Sequence, residues 1–356
     1  MAGAIVLAAL HLATSRRRAS LRPITVAKAA PVDEWFEDWS VPSEAQPQPQ
    51  DYAFDLDWAL SSVVGLHASV PADAFTAGVL GTDRIGNGVL IREDGVVLTI
   101  NYLITEAEQV TLTTGEGREV PGHVLGFDQS TGFGLVQALE PLAVPVLALA
   151  EGGHAPVGER VIVAGVGGRE HSTASRIVAR QEFAGYWEYL LDDAIFTAPA
   201  HPLWSGAALI GPSGKLLGVG SLHLQHQTSS GRVMPLNMVV PIELLPPIFE
   251  SLVAGGHDLP ARPWLGVVAQ EVDDKVMIVG TSADGPARRV GLKEGDILLA
   301  VGGQAVSNLA DFYRSLWALG PAGVDAPLTL NREGDVFDVS VTSRDRRRFL
   351  KTPRLH

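Results

Sequence analysis

Residues 197–219 of this chain read TAPAHPLWSGAALIGPSGKLLGV. Within this stretch two short apolar runs, 207–210 and 215–219, flank a turn at residues 212–214 that contains Pro and Gly. Short apolar runs joined by such a turn predict a β-hairpin of a barrel or sandwich. The loop that precedes the hairpin carries Ser205, whose hydroxyl is the first candidate for chemistry.

Further strands are predicted outward from this hairpin. They are short apolar or alternating runs with Gly-containing turns between them, at 88–91, 96–100, 109–113, 120–127 and 161–164. Strands do not alternate regularly with long helices, which argues against a parallel α/β fold. The sequence therefore predicts a mainly β protein, with a short helix over 246–253 and a linker over 257–263.

Length and composition limit the classes of protein. A chain of 356 residues is too long for one ordinary core, so two domains and a tail are expected. The 38 Gly and 23 Pro imply many turns. A net charge of −13 argues against a nucleic-acid partner, and the Arg-rich end at 344–354 is interpreted as a solvated terminus.

The absence of cysteine excludes disulfides, thiolate catalysis and cysteine-ligated zinc, and it leaves the cellular compartment open. The residues suggest no cofactor and no metal site. His223 and His226 lie three apart on a predicted strand or its end, so they face opposite sides and do not form a shared site.

Two interpretations of the N-terminus stay open. Residues 2–14 are apolar, three arginines follow at 16–18, and VAKAA at 26–30 is similar to a signal cleavage site. The run is shorter than the roughly 20 residues that span a bilayer, and no basic segment precedes it. Residues 1–30 are therefore either a signal- or anchor-like segment, which would permit membrane association, or a frayed tail.

The next segment, 31–57, mixes Pro, Gln and acidic residues with aromatic ones. Disordered segments are usually poor in aromatic residues, so these side chains are expected to dock on a protein surface. The surface could belong to a neighbouring subunit, or the arm could pack on its own domain.

The order of motifs resembles the HtrA (DegP/DegS-like) family, trypsin-fold serine proteases with a C-terminal PDZ domain. Four stretches carry the resemblance in the protease part: GNGVLIREDGVVLTINYLIT (86–105), GFDQSTGFGLVQA (126–138), VGERVIVAGVGG (157–168) and the stretch at 197–219. They imply a trypsin-like double β-barrel with Ser205 at the nucleophile position.

The departures from the family pattern lie at the chemistry. The resemblance places Tyr102 where the family has its catalytic histidine, and Gly132 where it has the aspartate. Leu203 occupies the oxyanion-hole position, where the family has Gly, and Trp204 precedes the serine. In this interpretation Ser205 is vestigial, together with the positions of Tyr102, Gly132 and Leu203.

A serine hydroxyl attacks a carbonyl only when a base takes its proton. A phenol with a reference pKa of ~10 is a weak base at neutral pH, and a glycine orients nothing. His201 and Asp128 are the candidates to replace the missing groups, but Asp128 is expected to serve a turn, and nothing in the sequence directs His201 at the serine.

A second part of the chain resembles a PDZ domain through RPWLGVVAQEV (262–272), TSADGPARRVGLKEGDILLAVGGQAVSNLADFYRSLWAL (281–319) and APLTLNREGDVFDVSV (326–341). The resemblance implies a carboxylate-binding loop formed by Trp264, Leu265, Gly266 and Val267. Apolar spacing predicts a helix over 308–319 that begins with a capping box at Asn308 and Asp311 and lines the peptide groove. Its groove-lining candidates are Phe312 and Leu316.

These observations predict five regions. They are a signal- or anchor-like segment (1–30), an arm (31–57), a degenerate trypsin-like domain (58–256), a PDZ domain (257–345) and a basic tail (346–356). The predicted function is a periplasmic or membrane-associated pseudoprotease that binds peptide C-termini or unfolded segments. By resemblance it would be a trimer, or otherwise a homo- or hetero-oligomer or a subunit of a larger complex. The alternative is an active HtrA-type serine endopeptidase of periplasmic protein quality control.

Overall fold

The strands of this protein form two closed barrels and a C-terminal sheet. The computed structural model describes residues 39–152, 155–227 and 231–351. In that part of the chain β-strands dominate and helices are short, so the prediction of a mainly β protein is confirmed.

The first barrel contains residues from 56 to 138. Its elements are α1 (Leu56–Ser61), β1 (Val63–Ser69), α2 (Ala77–Leu80), β2 (Asp83–Leu90), β3 (Val96–Ile100), α3 (Asn101–Ile104), β4 (Gln109–Thr113), β5 (Glu119–Phe127) and β6 (Phe133–Ala138). The strands close in the order β1-β2-β3-β6-β5-β4, so none of them presents a free edge. Every residue of β3 is buried, which explains its unbroken apolar run.

The second barrel contains β7 (Arg160–Ala164), β8 (Ser172–Gly185), β9 (Tyr189–Ala198), β10 (Ala208–Ile210), β11 (Leu216–Gln227) and β12 (Val233–Pro241). Its strands close in the order β10-β11-β12-β9-β8-β7. The hairpin predicted around residues 212–214 is the β10–β11 pair, although β11 is longer than the sequence indicated. The α4 helix (Phe249–Val253) follows a 3₁₀ turn at Pro246–Ile248 and ends the domain.

The C-terminal domain contains β13 (Val267–Val272), β14 (Lys275–Thr281), α5 (Pro286–Arg289), β15 (Ile297–Val301), β16 (Gln304–Ala305), α6 (Leu309–Ala318), β17 (Asp325–Arg332) and β18 (Asp335–Thr342). Its main sheet runs β13-β14-β15-β17-β18, with β13 at one edge. The α6 helix begins where the sequence predicted, because the Asn308 side chain accepts a hydrogen bond from Asp311 N at 2.7 Å. The Asp311 carboxylate accepts from Ser307 N at 3.3 Å, one residue before the cap, whereas the predicted capping box would use Asn308 N.

The two barrels meet at a very close contact between β2 and the loop before β10. Asn87 N donates to Ser205 O at 2.7 Å, and the Asn87 side chain donates to Leu203 O at 3.0 Å. Gly206 adopts a φ of +72°, and a Cβ there would lie 1.9 Å from Asn87 O. Glycine is therefore required at this position by both backbone conformation and space.

The arm packs on the second barrel from Trp39 onward. The Trp39 ring lies against the rings of His171 and His201, with centroids 5.6 and 5.7 Å apart. Phe54 lies beside Gly214 in the β10–β11 turn. These contacts match the interpretation in which the arm packs on its own domain. The predicted signal- or anchor-like segment, residues 1–30, lies outside the described residues.

Residues 346–351 pack on the two domains, contrary to the interpretation of the Arg-rich end as a solvated terminus. The ring of Phe349 packs on Trp264 and Phe75, with centroids 4.9 and 5.8 Å away. Lys351 N donates to the buried Glu106 carboxylate at 2.8 Å. The many charges of this segment predicted that it would be solvated. Instead, Phe349 anchors it between the two domains.

No helix in the described ranges is both long and apolar enough to cross a bilayer.

Candidate active-site cleft and peptide-binding loop

Ser205 lies between the barrels, and its hydroxyl meets that of Tyr102. Tyr102 belongs to α3, the short helix after β3, and its Oη lies 2.8 Å from Ser205 Oγ. Tyr102 also donates to Ser221 O at 2.7 Å. A phenol has one proton, and since that proton goes to Ser221 O, Ser205 must donate its own proton to the phenol oxygen.

Tyr102 is buried, and this burial controls its acid–base behaviour. Desolvation raises the pKa of Tyr102 well above its usual value, and hydrogen bonds from Ser205 and from the Trp204 side chain lower it only in part. The hydroxyl therefore stays protonated throughout the physiological range. The Trp204 ring also packs on that of His223, with ring centroids 5.2 Å apart.

His201, the nearest sequence candidate for a replacement base, does not reach Ser205. It is fully buried, and burial lowers its pKa to about 4. Its Nε2 bonds to His171 O at 2.9 Å, and its Nδ1 accepts from Leu203 N at 3.0 Å. Both ring nitrogens are thus occupied, and the Leu203 N–H is engaged by His201.

Gly132 lies at the end of the β5–β6 loop, with a φ of +91°. A Cβ there would lie 3.1 Å from Tyr189 Oη and 3.3 Å from Ile100 Cδ1. Tyr189 itself donates to Thr131 O at 2.8 Å. Tyr189, which sequence reasoning did not single out, therefore fills the space beside Gly132.

Asp128, the other candidate for a replacement group, serves the turn as expected. Its carboxylate accepts from Ser130 N at 3.1 Å and from Thr131 N at 2.7 Å. This capping occupies both oxygens, so Asp128 orients the loop backbone. Among the described residues that were predicted for the triad, the structure therefore brings together only Tyr102 and Ser205.

The predicted carboxylate-binding loop does bind a carboxylate, and the group comes from the same chain. Glu188, in the tip that joins β8 to β9, accepts hydrogen bonds from three successive N–H groups. The distances are 3.1 Å from Leu265 N, 2.8 Å from Gly266 N and 3.1 Å from Val267 N. Three successive N–H groups of the loop are therefore directed at one carboxylate, and its role in binding a peptide stays a prediction.

Burial in this loop raises the pKa of Glu188 to about 7, although the three N–H groups and the charge of Arg346 favour the ionised form. Desolvation thus outweighs the hydrogen bonds. Sequence reasoning missed Glu188, because an acidic residue at a hairpin tip is ordinarily interpreted as solvated.

The other predicted groove residues lie in the core of the C-terminal domain. Phe312 and Leu316 are buried in its hydrophobic cluster. Trp264 packs against Phe349. Tyr313, which the sequence analysis did not choose, is the α6 residue whose hydroxyl reaches the β8–β9 tip. The groove roles of Phe312 and Leu316 stay predictions.

Comparison with known proteins supports the domain assignment. A family model for the trypsin-like peptidase domain matches residues 86–219, and one for the PDZ domain matches residues 263–342. The chain is 28% identical over 274 residues to a "Probable periplasmic serine endoprotease DegP-like" of Halomonas elongata, covering 73% of this chain and 56% of that protein. A protein of the same name from Pseudomonas putida is 29% identical over 275 residues, covering 72% and 55%.

A solved structure of the serine endoprotease from Yersinia pestis is 22% identical with a TM-score of 0.50, and the match covers 82% of this chain and 98% of that one. At that identity the likeness concerns the fold alone. This chain spans a little over half the length of the Halomonas and Pseudomonas relatives. The matches place a trypsin-like peptidase domain before a PDZ domain in this chain, which is similar to the DegP-like relatives named above.

Proposed function

We propose that this protein is an HtrA-like pseudoprotease that binds peptide C-termini or unfolded segments as a regulatory or structural subunit. The observation that carries the proposal is the contact of 2.8 Å between Tyr102 Oη and Ser205 Oγ. In the proposed interpretation Tyr102 and Gly132 stand at the positions of the triad histidine and aspartate.

A Ser-His-Asp mechanism would fail at its first step in this cleft. The serine must transfer its proton to a base as it attacks, and a buried, protonated phenol does not accept that proton near neutral pH. Loss of a whole triad lowers turnover by about 10⁴ to 10⁶, or ~5 to 8 kcal/mol of transition-state stabilisation.

Stabilisation of an oxyanion is impaired as well. The hole needs two backbone N–H groups directed at one point, one of them at the Leu203 position by resemblance. The Leu203 N–H is used by His201 instead, at 3.0 Å. The proposal therefore rests on two independent defects, one in proton transfer and one in charge stabilisation.

The second candidate function is an active serine endopeptidase of periplasmic protein quality control. The names of the relatives favour it, because the Halomonas and Pseudomonas proteins are both called endoproteases. It requires Ser205 to be activated by a base that reaches it only after a rearrangement of the cleft. The same names support a periplasmic location for this chain under either function.

The proposed partners follow from the PDZ domain and the charge. A peptide with a free α-carboxylate is the chemistry that the loop at residues 264–267 recognises. Self-association is proposed by resemblance to the family, with a homo- or hetero-oligomer, trimer or larger complex as the assembly. The net charge of −13 argues against nucleic acid.

A fluorophosphonate probe tests the catalytic part of the proposal. Purified wild-type protein and the Ser205→Ala variant are labelled in parallel, and both are also assayed for cleavage of unfolded casein. We expect no difference between the two proteins, because Ser205 is not activated. Labelling or cleavage confined to the wild type would reject the pseudoprotease and establish the endopeptidase.

A further inference from the structure

The tip of the β8–β9 hairpin lies in the peptide groove of the PDZ domain. The Glu188 carboxylate accepts from the N–H groups of residues 265–267. Two residues earlier along the hairpin, Tyr186 O accepts from Ala269 N at 3.1 Å. A carboxylate at one end and a backbone hydrogen bond two residues away are the contacts that a bound peptide C-terminus makes by strand addition.

The hairpin uses the free edge of β13. In the main sheet of the domain β13 pairs only with β14 on its other side. Alternate N–H groups of an edge strand point away from the sheet and can pair with another strand. Here the N–H groups of Val267 and Ala269 point at the hairpin and find acceptors there, so the edge is already covered.

The opposite wall of the groove, helix α6, also holds the hairpin. Tyr313 Oη donates to Gly185 O at 2.6 Å and accepts from Glu188 N at 3.3 Å. Next to it, Arg314 forms ion pairs with Glu182 on β8 and with Asp192 on β9. The hairpin is therefore bound from both sides, at its backbone and at its flanking charges.

Glu188 owes its position at the tip to the geometry of the hairpin loop. Gly185 pairs with Tyr189, so residues 186–188 form a three-residue loop whose last residue, Glu188, has a φ of +60°. A left-handed residue at that place is the usual way in which such a loop closes. The turn itself therefore presents the Glu188 carboxylate to the PDZ loop.

We propose that the β8–β9 hairpin is an internal ligand that closes the PDZ groove, with the Glu188 carboxylate in the place of a peptide α-carboxylate. An external C-terminal peptide then binds only to the fraction of molecules whose hairpin has withdrawn, which weakens its apparent affinity by that fraction. The proposal rests on the peptide-binding function proposed above, and it adds the regulation of that site by the protease domain.

Hydrogen exchange resolved to single residues tests the internal ligand without any peptide. The four N–H groups of residues 265, 266, 267 and 269 are followed in the wild type and in Glu188→Ala. The matched control is Glu93→Ala, which removes the same charge from the exposed β2–β3 turn. We expect exchange at the four sites to be faster in Glu188→Ala by on the order of tenfold, and unchanged in the control.

Tyr313→Phe provides a second variant, which keeps the ring in the core and removes the hydroxyl bonds to Gly185 and Glu188. It should raise exchange at the same four sites to a smaller extent, so the test remains decisive if Glu188→Ala does not fold. Equal exchange in the wild type and in the folded variants would overturn the internal ligand.

Peptide binding separates this proposal from the proposed function. The probe is a fluorescein-labelled pool of random hexapeptides with free α-carboxyl groups, and an amidated pool serves as the control. We expect Glu188→Ala to bind the free-acid pool about tenfold more tightly than the wild type does. Equal binding by both would overturn the internal ligand and leave the peptide-binding function intact. Binding by neither protein, with the expected change in exchange, would support the internal ligand and reject peptide binding.

Discussion

The Ser205 cleft and the PDZ carboxylate loop differ in what each retains. The cleft keeps Ser205 and the close contact of the two barrels, and the group that meets the serine hydroxyl is the phenol of Tyr102. The loop keeps its backbone N–H groups in the arrangement that binds a carboxylate, and a carboxylate of the same chain is bound there. In the function proposed above, the first region lacks the reactive side chains of a protease on an intact scaffold, and the second has its backbone donors in place with an occupant from the same chain.

This difference shows that backbone and side-chain functions fail in different ways. Catalysis by a serine triad depends on the identity of a few side chains, so substitution of one of them removes it without disturbing the fold. Carboxylate binding at residues 265–267 depends on main-chain N–H groups, which every residue except proline supplies, provided the loop keeps its shape. Such a site is controlled by what occupies it.

The largest effect is expected where the scaffold of the cleft is tightest. Gly206→Ala would place a Cβ 1.9 Å from Asn87 O on a backbone with φ of +72°. We expect a loss of roughly 3 to 5 kcal/mol in the free energy of unfolding, measured by urea denaturation. Gly117→Ala is the matched control, since φ is +83° there and nothing lies within 4 Å of the added Cβ. It should cost about 1 kcal/mol, and similar losses for both variants would mean that the barrel contact is not rigid.

The next effect concerns the charge in the carboxylate loop. Docking raises the pKa of Glu188 from 4.5 to about 7, so the docked carboxyl keeps a proton that the free one releases. The stabilisation of the docked hairpin by this retained proton is fully present below pH 4.5 and is lost as the pH rises through about 7. The groups that lie around Glu188 are Arg346, the Tyr313 hydroxyl and the three loop N–H groups.

We therefore expect the free energy of hairpin opening to fall by roughly 2 to 3 kcal/mol between about pH 4.5 and 8. The measurement is exchange at Gly266 N–H, corrected for the intrinsic pH dependence, in the wild type and in Glu188→Gln. The glutamine variant should show a flat profile. Protection that increases with pH would mean that the N–H donors outweigh the desolvation of Glu188.

A smaller effect is expected from the hydroxyl contact in the cleft. Tyr102→Phe removes the bonds to Ser205 and to Ser221 O, which should cost about 1 to 2 kcal/mol in the free energy of unfolding. In a double-mutant cycle with Ser205→Ala, we expect a coupling of about 1 kcal/mol between the two hydroxyls. Strict additivity would show that the contact does not persist in solution and would reopen the question of an activated serine.

The smallest effect is expected at the start of α6, which supports the groove. Asn308→Ala removes the cap on Asp311 N and should lower the stability of the PDZ domain by about 1 kcal/mol. The barrels should be unaffected, as followed by exchange in β3. Destabilisation of both domains together would show that they unfold as one unit.

The sequence predictions were correct where a feature depends on residues close together in the chain, and wrong where it depends on contacts between distant residues. The β4 strand and the α6 cap were predicted correctly, because alternation and capping act within a few residues. The long β8–β9 hairpin was missed, since its strands alternate weakly and its tip is held by the PDZ domain. The Arg-rich end was misjudged because charge count does not reveal that Phe349 is anchored by Trp264.

The sequence by itself determined the classes of domain, the position of Ser205 and the residue types around it, because motifs of local order carry that information. Only the tertiary structure decided that the Leu203 N–H turns to His201, that Tyr189 fills the space beside Gly132, and that Glu188 enters the carboxylate loop. Each of these contacts joins residues from separate elements, and pairing over such distances is set by packing of the whole chain rather than by any local pattern.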